Sequence, residues 1–259
     1  MPRRGGDRRI PGRDPPSAVE PAIADDWARI ECVDAMDGLG MEALNEQAAV
    51  RERPGVVVRP RGLVDLRGRA GDPVTLSYQP GSVVVVSGLP GAGKSTLLRR
   101  WSRSAAVVDP RAAHVAWQAV MPGWLPYPVY RPGARLDYFL RLNARARGGD
   151  PLLVHDCGSR SWMRRWLSLT VGRSGRELHL VVLDVGTAEA IAGQRARDRW
   201  ASRRVFAGHR RGLGRLLHGL SRDGMRTVPE AASVVLLDRV SRERMAAVEF
   251  PAGAQPARA

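Results

Sequence analysis

The spacing of apolar positions changes near residue 82. Upstream they fall into short, interrupted groups. Downstream they alternate between continuous runs and helical spacing. The runs Val83–Ser87, Ala105–Val108, Leu152–His155, His179–Asp184 and Ser233–Leu237 have strand length and little polarity. Such runs belong to strands covered on both faces. Between them, apolar residues recur three and four apart, as in amphipathic helices. These stretches are Lys94 to about Ser104, pieces of 110–150 around Pro122, Pro126, Pro128 and Pro132, then Ser161–Val171 and the arginine-rich Thr187–Leu220. Alternating apolar strands and helices predict an α/β domain over 81–250, with a mostly parallel sheet flanked by helices.

The earlier residues read differently. Residues 25–50 have helical spacing interrupted by Gly38 and Gly40, so one or two short helices are expected there. Val56–Val58, Leu63–Leu66 and Val74–Tyr78 are short strand candidates between Gly and Pro turns. Residues 25–80 thus read as a small N-terminal extension. Residues 1–24 are rich in Pro, Gly and Arg without periodicity and read as a disordered basic tail; 251–259 read as a second tail. There is no internal repeat.

Composition narrows the class. No apolar run approaches the roughly 20 residues that span a bilayer, and the basic start leads into no hydrophobic segment of a secretory signal. Two cysteines, Cys32 and Cys157, are too few for a disulfide framework and lack metal-ligand spacing. A soluble, cytoplasmic protein is expected. The net charge of +15 raises a nucleic-acid partner as a possibility. Of the 41 basic residues, however, only Lys94 is a lysine. An arginine bias of this kind reads first as a solvated basic surface. The lone lysine is the informative residue, because it stands where a compact ammonium on a flexible stem reaches phosphate oxygens.

Lys94 lies in GLPGAGKS, Gly88–Ser95, which fits G-x-x-x-x-G-K-[ST] and is followed by Thr96. The context fits as well: a buried strand precedes the motif and a helix follows. In such a loop (Gly88, Leu89, Pro90, Gly91, Ala92, Gly93, Lys94, Ser95, Thr96), backbone N–H groups and the helix N-terminus surround the β-phosphate of a nucleoside triphosphate. Lys94 bridges the β- and γ-phosphates, the Ser95 hydroxyl coordinates Mg²⁺, and Thr96 reaches toward the α-phosphate. The expected cofactors are ATP and Mg²⁺; no N-K-x-D-like guanine motif is present. A second, acidic position should hold the metal through water. Asp156, ending the strand in LLVHDCGSR, is favoured over Asp184, ending the strand in HLVVLDV; either could instead cap the next helix.

GLPGAGKST, VVDPR, LLVHDCGSR and VVLDV followed by an Arg-rich segment together resemble the AAA-domain P-loop proteins that include zeta-toxin-like and polynucleotide-kinase-like phosphotransferases. The resemblance covers about residues 82–245. It implies a P-loop NTPase three-layer sandwich with a five-stranded sheet in the order 2-3-1-4-5 and a mobile, arginine-bearing lid. It further implies that Asp109 contacts the acceptor hydroxyl as general base, and that Arg160 makes a polar substrate contact. In the lid segment GQRARDRW it points to Arg195, Arg197 and Arg199. Arg195 and Arg199 are four apart on one helix face and could stabilise charge on the transferring phosphoryl group.

Three readings of function follow. The first is ATP-dependent phosphoryl transfer to a small-molecule or nucleic-acid hydroxyl, the acceptor being unidentified. The second is a nucleotide-switched regulatory ATPase without a dedicated acceptor. The third, an ABC-type ATPase, is suggested by PGS before the first strand but lacks an LSGGQ-like signature.

Overall fold

The structure, a computed structural model, describes residues 55–155, 160–196 and 202–251. Several expectations lie outside those residues: the tails, the helices of 25–50, Cys32, Cys157, Asp156, Arg197 and Arg199.

Val83–Gly88 (β4) is buried along its whole length, as is Leu178–Leu183 (β7). The two pair in parallel, with Val84 opposite His179 and Gly88 opposite Leu183. On the other side of β4, Leu152–His155 (β6) pairs in parallel, and Ala106–Val108 (β5) pairs with β6. Beyond β7 come Ser233–Leu237 (β8) and then Gly62–Asp65 (β2). The sheet order is β5-β6-β4-β7-β8-β2. The five strands expected from the apolar runs therefore follow one another as 2-3-1-4-5, but among the described residues the sheet has six strands rather than five. The sixth is β2, which carries alternating half-buried and exposed residues, as suits an edge.

Val56–Val58 (β1) and Val74–Ser77 (β3) form a second parallel sheet with Met245–Glu249 (β9), in the order β1-β3-β9. The segment expected as a separate extension is thus, from residue 55 onward, built into the same body: β2 extends one sheet and β1 and β3 make the other. The sequence hid this because strand partners are remote in the chain. Every strand pair in both sheets is parallel, so all the carboxyl ends of one sheet lie on one edge.

The helices follow the apolar spacing with two changes. Residues 110–150 resolve into Pro110–Val120 (α2) and the long Tyr127–Arg147 (α3), which retains Pro132 in its first turns. The stretch Thr187–Leu220 is not one helix. It gives Thr187–Arg195 (α5) and Arg203–Asp223 (α6). Lys94–Trp101 (α1) and Ser161–Gly172 (α4) match their expected starts. Arg239–Arg244 (α7) was not expected; Asp238 starts it, accepting from the Ser241 amide while Ser241 Oγ accepts from the Asp238 amide. No described helix is long and apolar enough to cross a membrane.

Candidate functional site

Among the described residues, GLPGAGKS forms a glycine loop between β4 and α1. Gly91 and Gly93 have φ near 90°, a region closed to residues with a side chain except under strain. Gly93 caps α1 in this left-handed conformation, and the amides of Thr96 and Leu97 both donate to its carbonyl. Space closes the loop as firmly as torsion does. A Cβ on Gly91 would lie 2.0 Å from the carbonyl oxygen of Ala190 in α5, and one on Gly193 would lie 2.3 Å from Gly91 O. Loop and helix therefore touch backbone to backbone. Gln194 Nε2 adds a hydrogen bond to Pro90 O at 3.2 Å. Arg195 follows Gln194 in the last turn of this docked helix and is exposed.

Lys94 is 5% exposed, and its Nζ donates to the carbonyls of Gly88 and Leu89, both at 2.9 Å. The ammonium is thus held over the loop it belongs to. Burying an ammonium is costly unless oxygen ligands surround it, and the loop supplies them. The combination of left-handed glycines, a helix N-terminus and a buried ammonium suits a polyphosphate. The chemistry of the donor set therefore fits ATP with Mg²⁺: Lys94 and the loop amides would hold the phosphates and Ser95 the metal.

Beside the loop, three adjacent strands bring further groups to one edge. Asp109 follows β5 and caps α2 by accepting from the Arg111 amide at 2.9 Å. His155 ends β6. Its Nδ1 lies 3.7 Å from Asp109 Oδ1, and its Nε2 lies 3.4 Å from Ser95 Oγ. The structure thus brings Lys94, Ser95 and Asp109 to one site and adds His155 between the last two. His155 was legible in one respect: it stands at a strand end, immediately before Asp156.

Asp184 has a different neighbour. Its Oδ2 accepts from Arg67 Nη1 at 2.6 Å, and the same guanidinium grips both oxygens of Asp65. Arg67 holds the Asp65 carboxyl below the usual carboxylate range, and the two carboxylates raise Arg67 in turn. Arg242 of α7 was also missed. Its Nη1 donates to Ala92 O at 2.7 Å and lies 3.4 Å from Glu189 Oε1. It braces the loop from beneath, where a Cβ on Gly93 would meet Nη1 at 2.9 Å. In a chain this rich in arginine no sequence signal marks it out.

No family model matches the chain, and no curated protein matches it. Solved structures do. One is from the PezAT chromosomal toxin–antitoxin system of Streptococcus pneumoniae, with 13% identity and a TM-score of 0.45, covering 64% of this chain and 69% of that one. A gluconokinase from Sinorhizobium meliloti matches with 15% identity and a TM-score of 0.43, covering 65% and 91%. The APS kinase of Mycobacterium tuberculosis, in complex with AMPPNP and APS, matches with 13% identity and a TM-score of 0.35, covering 64% and 94%. The chain itself has an α/β fold with all-parallel strands, and its glycine loop and buried lysine sit between the central strand and the first helix.

Proposed function

We propose that this chain is an ATP-dependent phosphotransferase that moves the γ-phosphoryl group to a hydroxyl. The observation that supports it best is the row Ser95, His155, Asp109. It sets a carboxylate two contacts away from the hydroxyl of the P-loop serine. A nucleotide switch needs the loop, but it has no use for a carboxylate poised at the neighbouring strand end. In this reading Lys94 leaves the carbonyls of Gly88 and Leu89 for the β- and γ-phosphates. Bound Mg²⁺, held by Ser95 and by Asp156, the residue after His155, would neutralise phosphate charge. Asp109 accepts the acceptor's proton as its oxygen bonds to phosphorus and the bond to ADP breaks. Arg195, with Arg199, stabilises charge on the phosphoryl group in flight. The Arg67 contact leaves Asp184 a structural role.

The test has two parts. Titration with AMPPNP and Mg²⁺ is expected to give saturable binding that Lys94→Ala weakens at least tenfold. Transfer from γ-labelled ATP to hydroxyl compounds is expected to fall by roughly 10²–10⁴ in Asp109→Asn with AMPPNP affinity retained. Slow hydrolysis alone, indifferent to Asp109, would favour the switch.

A further inference from the structure

The three-stranded sheet β1-β3-β9 has a carboxyl edge of its own. Crevices outside the carboxyl ends of parallel strands are where open α/β sheets take ligands. A cleft of about 320 Å³ lies at that edge, large enough for a small organic molecule. It is lined by Arg59, Pro60 and Arg61, just past β1, and by Tyr78 and Pro80, just past β3. Glu177, which precedes β7, and His179 within β7 complete it. The carboxyl edge of the small sheet thus meets the amino edge of the large one. The glycine loop stands at the other end of β4, whose six residues rise roughly 20 Å. The cleft is therefore separate from the nucleotide site.

Its floor carries polar atoms that the fold leaves unused. Tyr78 is 4% exposed and the His179 side chain 3%, with ring centroids 4.4 Å apart. Among the described residues, neither Tyr78 Oη nor His179 Nε2 has a hydrogen-bond partner. His179 Nδ1 is 2.8 Å from Ser233 Oγ, outside the lining. Nε2 points the other way, to the cleft side, where Glu177 Oε2 lies 3.5 Å off without forming a hydrogen bond. Buried polar atoms without partners are costly, and a ligand that supplied partners would recover that cost. Charge then narrows the ligand. Arg61 Nη1 is 3.5 Å from Glu177 Oε1, and Arg59 brings a second guanidinium. Burial first, then Arg61, lowers the imidazole to about 4, so it stays neutral. Two guanidiniums and one carboxylate leave a single positive charge. One carboxylate balances it, whereas a phosphate dianion would exceed it and meet Glu177. Pro60, Pro80 and the Tyr78 ring offer an apolar wall between mouth and floor.

We infer that this cleft is a second ligand site, and that it takes a small monocarboxylic acid with a hydroxyl at the end away from the carboxylate. Arg59 and Arg61, both exposed at the mouth, hold the carboxylate; planar guanidiniums match its two oxygens. His179 Nε2 and Tyr78 Oη meet the hydroxyl on the floor. The inference goes beyond the phosphotransferase reading and stands without it.

The test titrates the full chain with para-hydroxybenzoate by calorimetry, with and without saturating AMPPNP and Mg²⁺. One site tighter than about 1 mM is expected, with the same affinity in both conditions. The double variant Arg59→Gln/Arg61→Gln should weaken it at least about tenfold and leave the melting temperature unchanged. Benzoate, which lacks the hydroxyl, should bind the wild type about tenfold more weakly. Tyr78→Phe and His179→Phe should each shrink that preference. Phenyl phosphate should bind more weakly than para-hydroxybenzoate. Absence of saturable binding, indifference to the two arginines, displacement by AMPPNP, or tighter binding of phenyl phosphate overturns the inference. So does a wild type that treats benzoate and para-hydroxybenzoate alike. If His179→Phe does not fold, the exposed arginine pair and Tyr78→Phe still decide the question.

Discussion

Gly91 is the residue with least room to change. It combines a φ of 90° with a neighbouring carbonyl 2.0 Å from where a Cβ would sit. Since that neighbour is backbone, nothing can swing aside. Gly91→Ala is expected to cost roughly 3 kcal/mol, from strain at positive φ plus displacement of α5. Thermal melts should drop by several degrees, and AMPPNP affinity should fall with them. An alanine variant melting like the wild type would mean that α5 is not seated on the loop as described. At this scale the loop's shape was legible because its spacing sets glycines between a buried strand and a helix, where the backbone turns left-handed. Lys94 was legible because it is alone in its chemistry. His155 and Arg242 act through contacts made by elements far apart in sequence, and so no spacing reveals them.

Among elements, β7 shows how a strand records its burial. His179 is enclosed between Tyr78, which follows β3, with ring centroids 4.4 Å apart, and Ser233 at the start of β8, 2.8 Å from Nδ1. Burial first, and the Arg61 guanidinium second, push its imidazole down to about 4. The unfolded chain keeps a value near 6.5. Above about 6.5 both states are neutral and stability is flat. As pH falls from about 6.5 toward 4, the unfolded state binds the proton first, and stability drops. The loss approaches about 3 kcal/mol, since the side chain is only 3% exposed. Glu177, with Oε2 3.5 Å from Nε2, would offset part of it. Urea unfolding across this range should show that slope, and a His179→Gln variant should lose it. The strands themselves were the easiest elements to read, because burial on both faces leaves a continuous apolar run. Harder to read were α3, which runs through Pro132 in its interior, and the α5–α6 break within continuous helical spacing. α7 and β9 were missed: each is short, and their apolar residues show no clear period.

For the molecule as a whole, β9 matters more than its length suggests. It pairs with β3, and Met245 O accepts from Arg100 of α1, the helix that begins with Lys94. A chain ending at Arg244 is expected to lose AMPPNP binding and cooperative melting together. A truncated chain that melted within a few degrees of the full one would show β9 to be dispensable. Topology of this kind was only half visible beforehand. Alternation predicted the central strands and the resemblance their order, while the pairing of β2 with β8, and of β3 with β9, depends on contacts across most of the sequence. The same pairing sets a timetable for synthesis. A ribosome makes Lys94 long before Met245, so the glycine loop and its helix emerge before the strand that Arg100 reaches has been made.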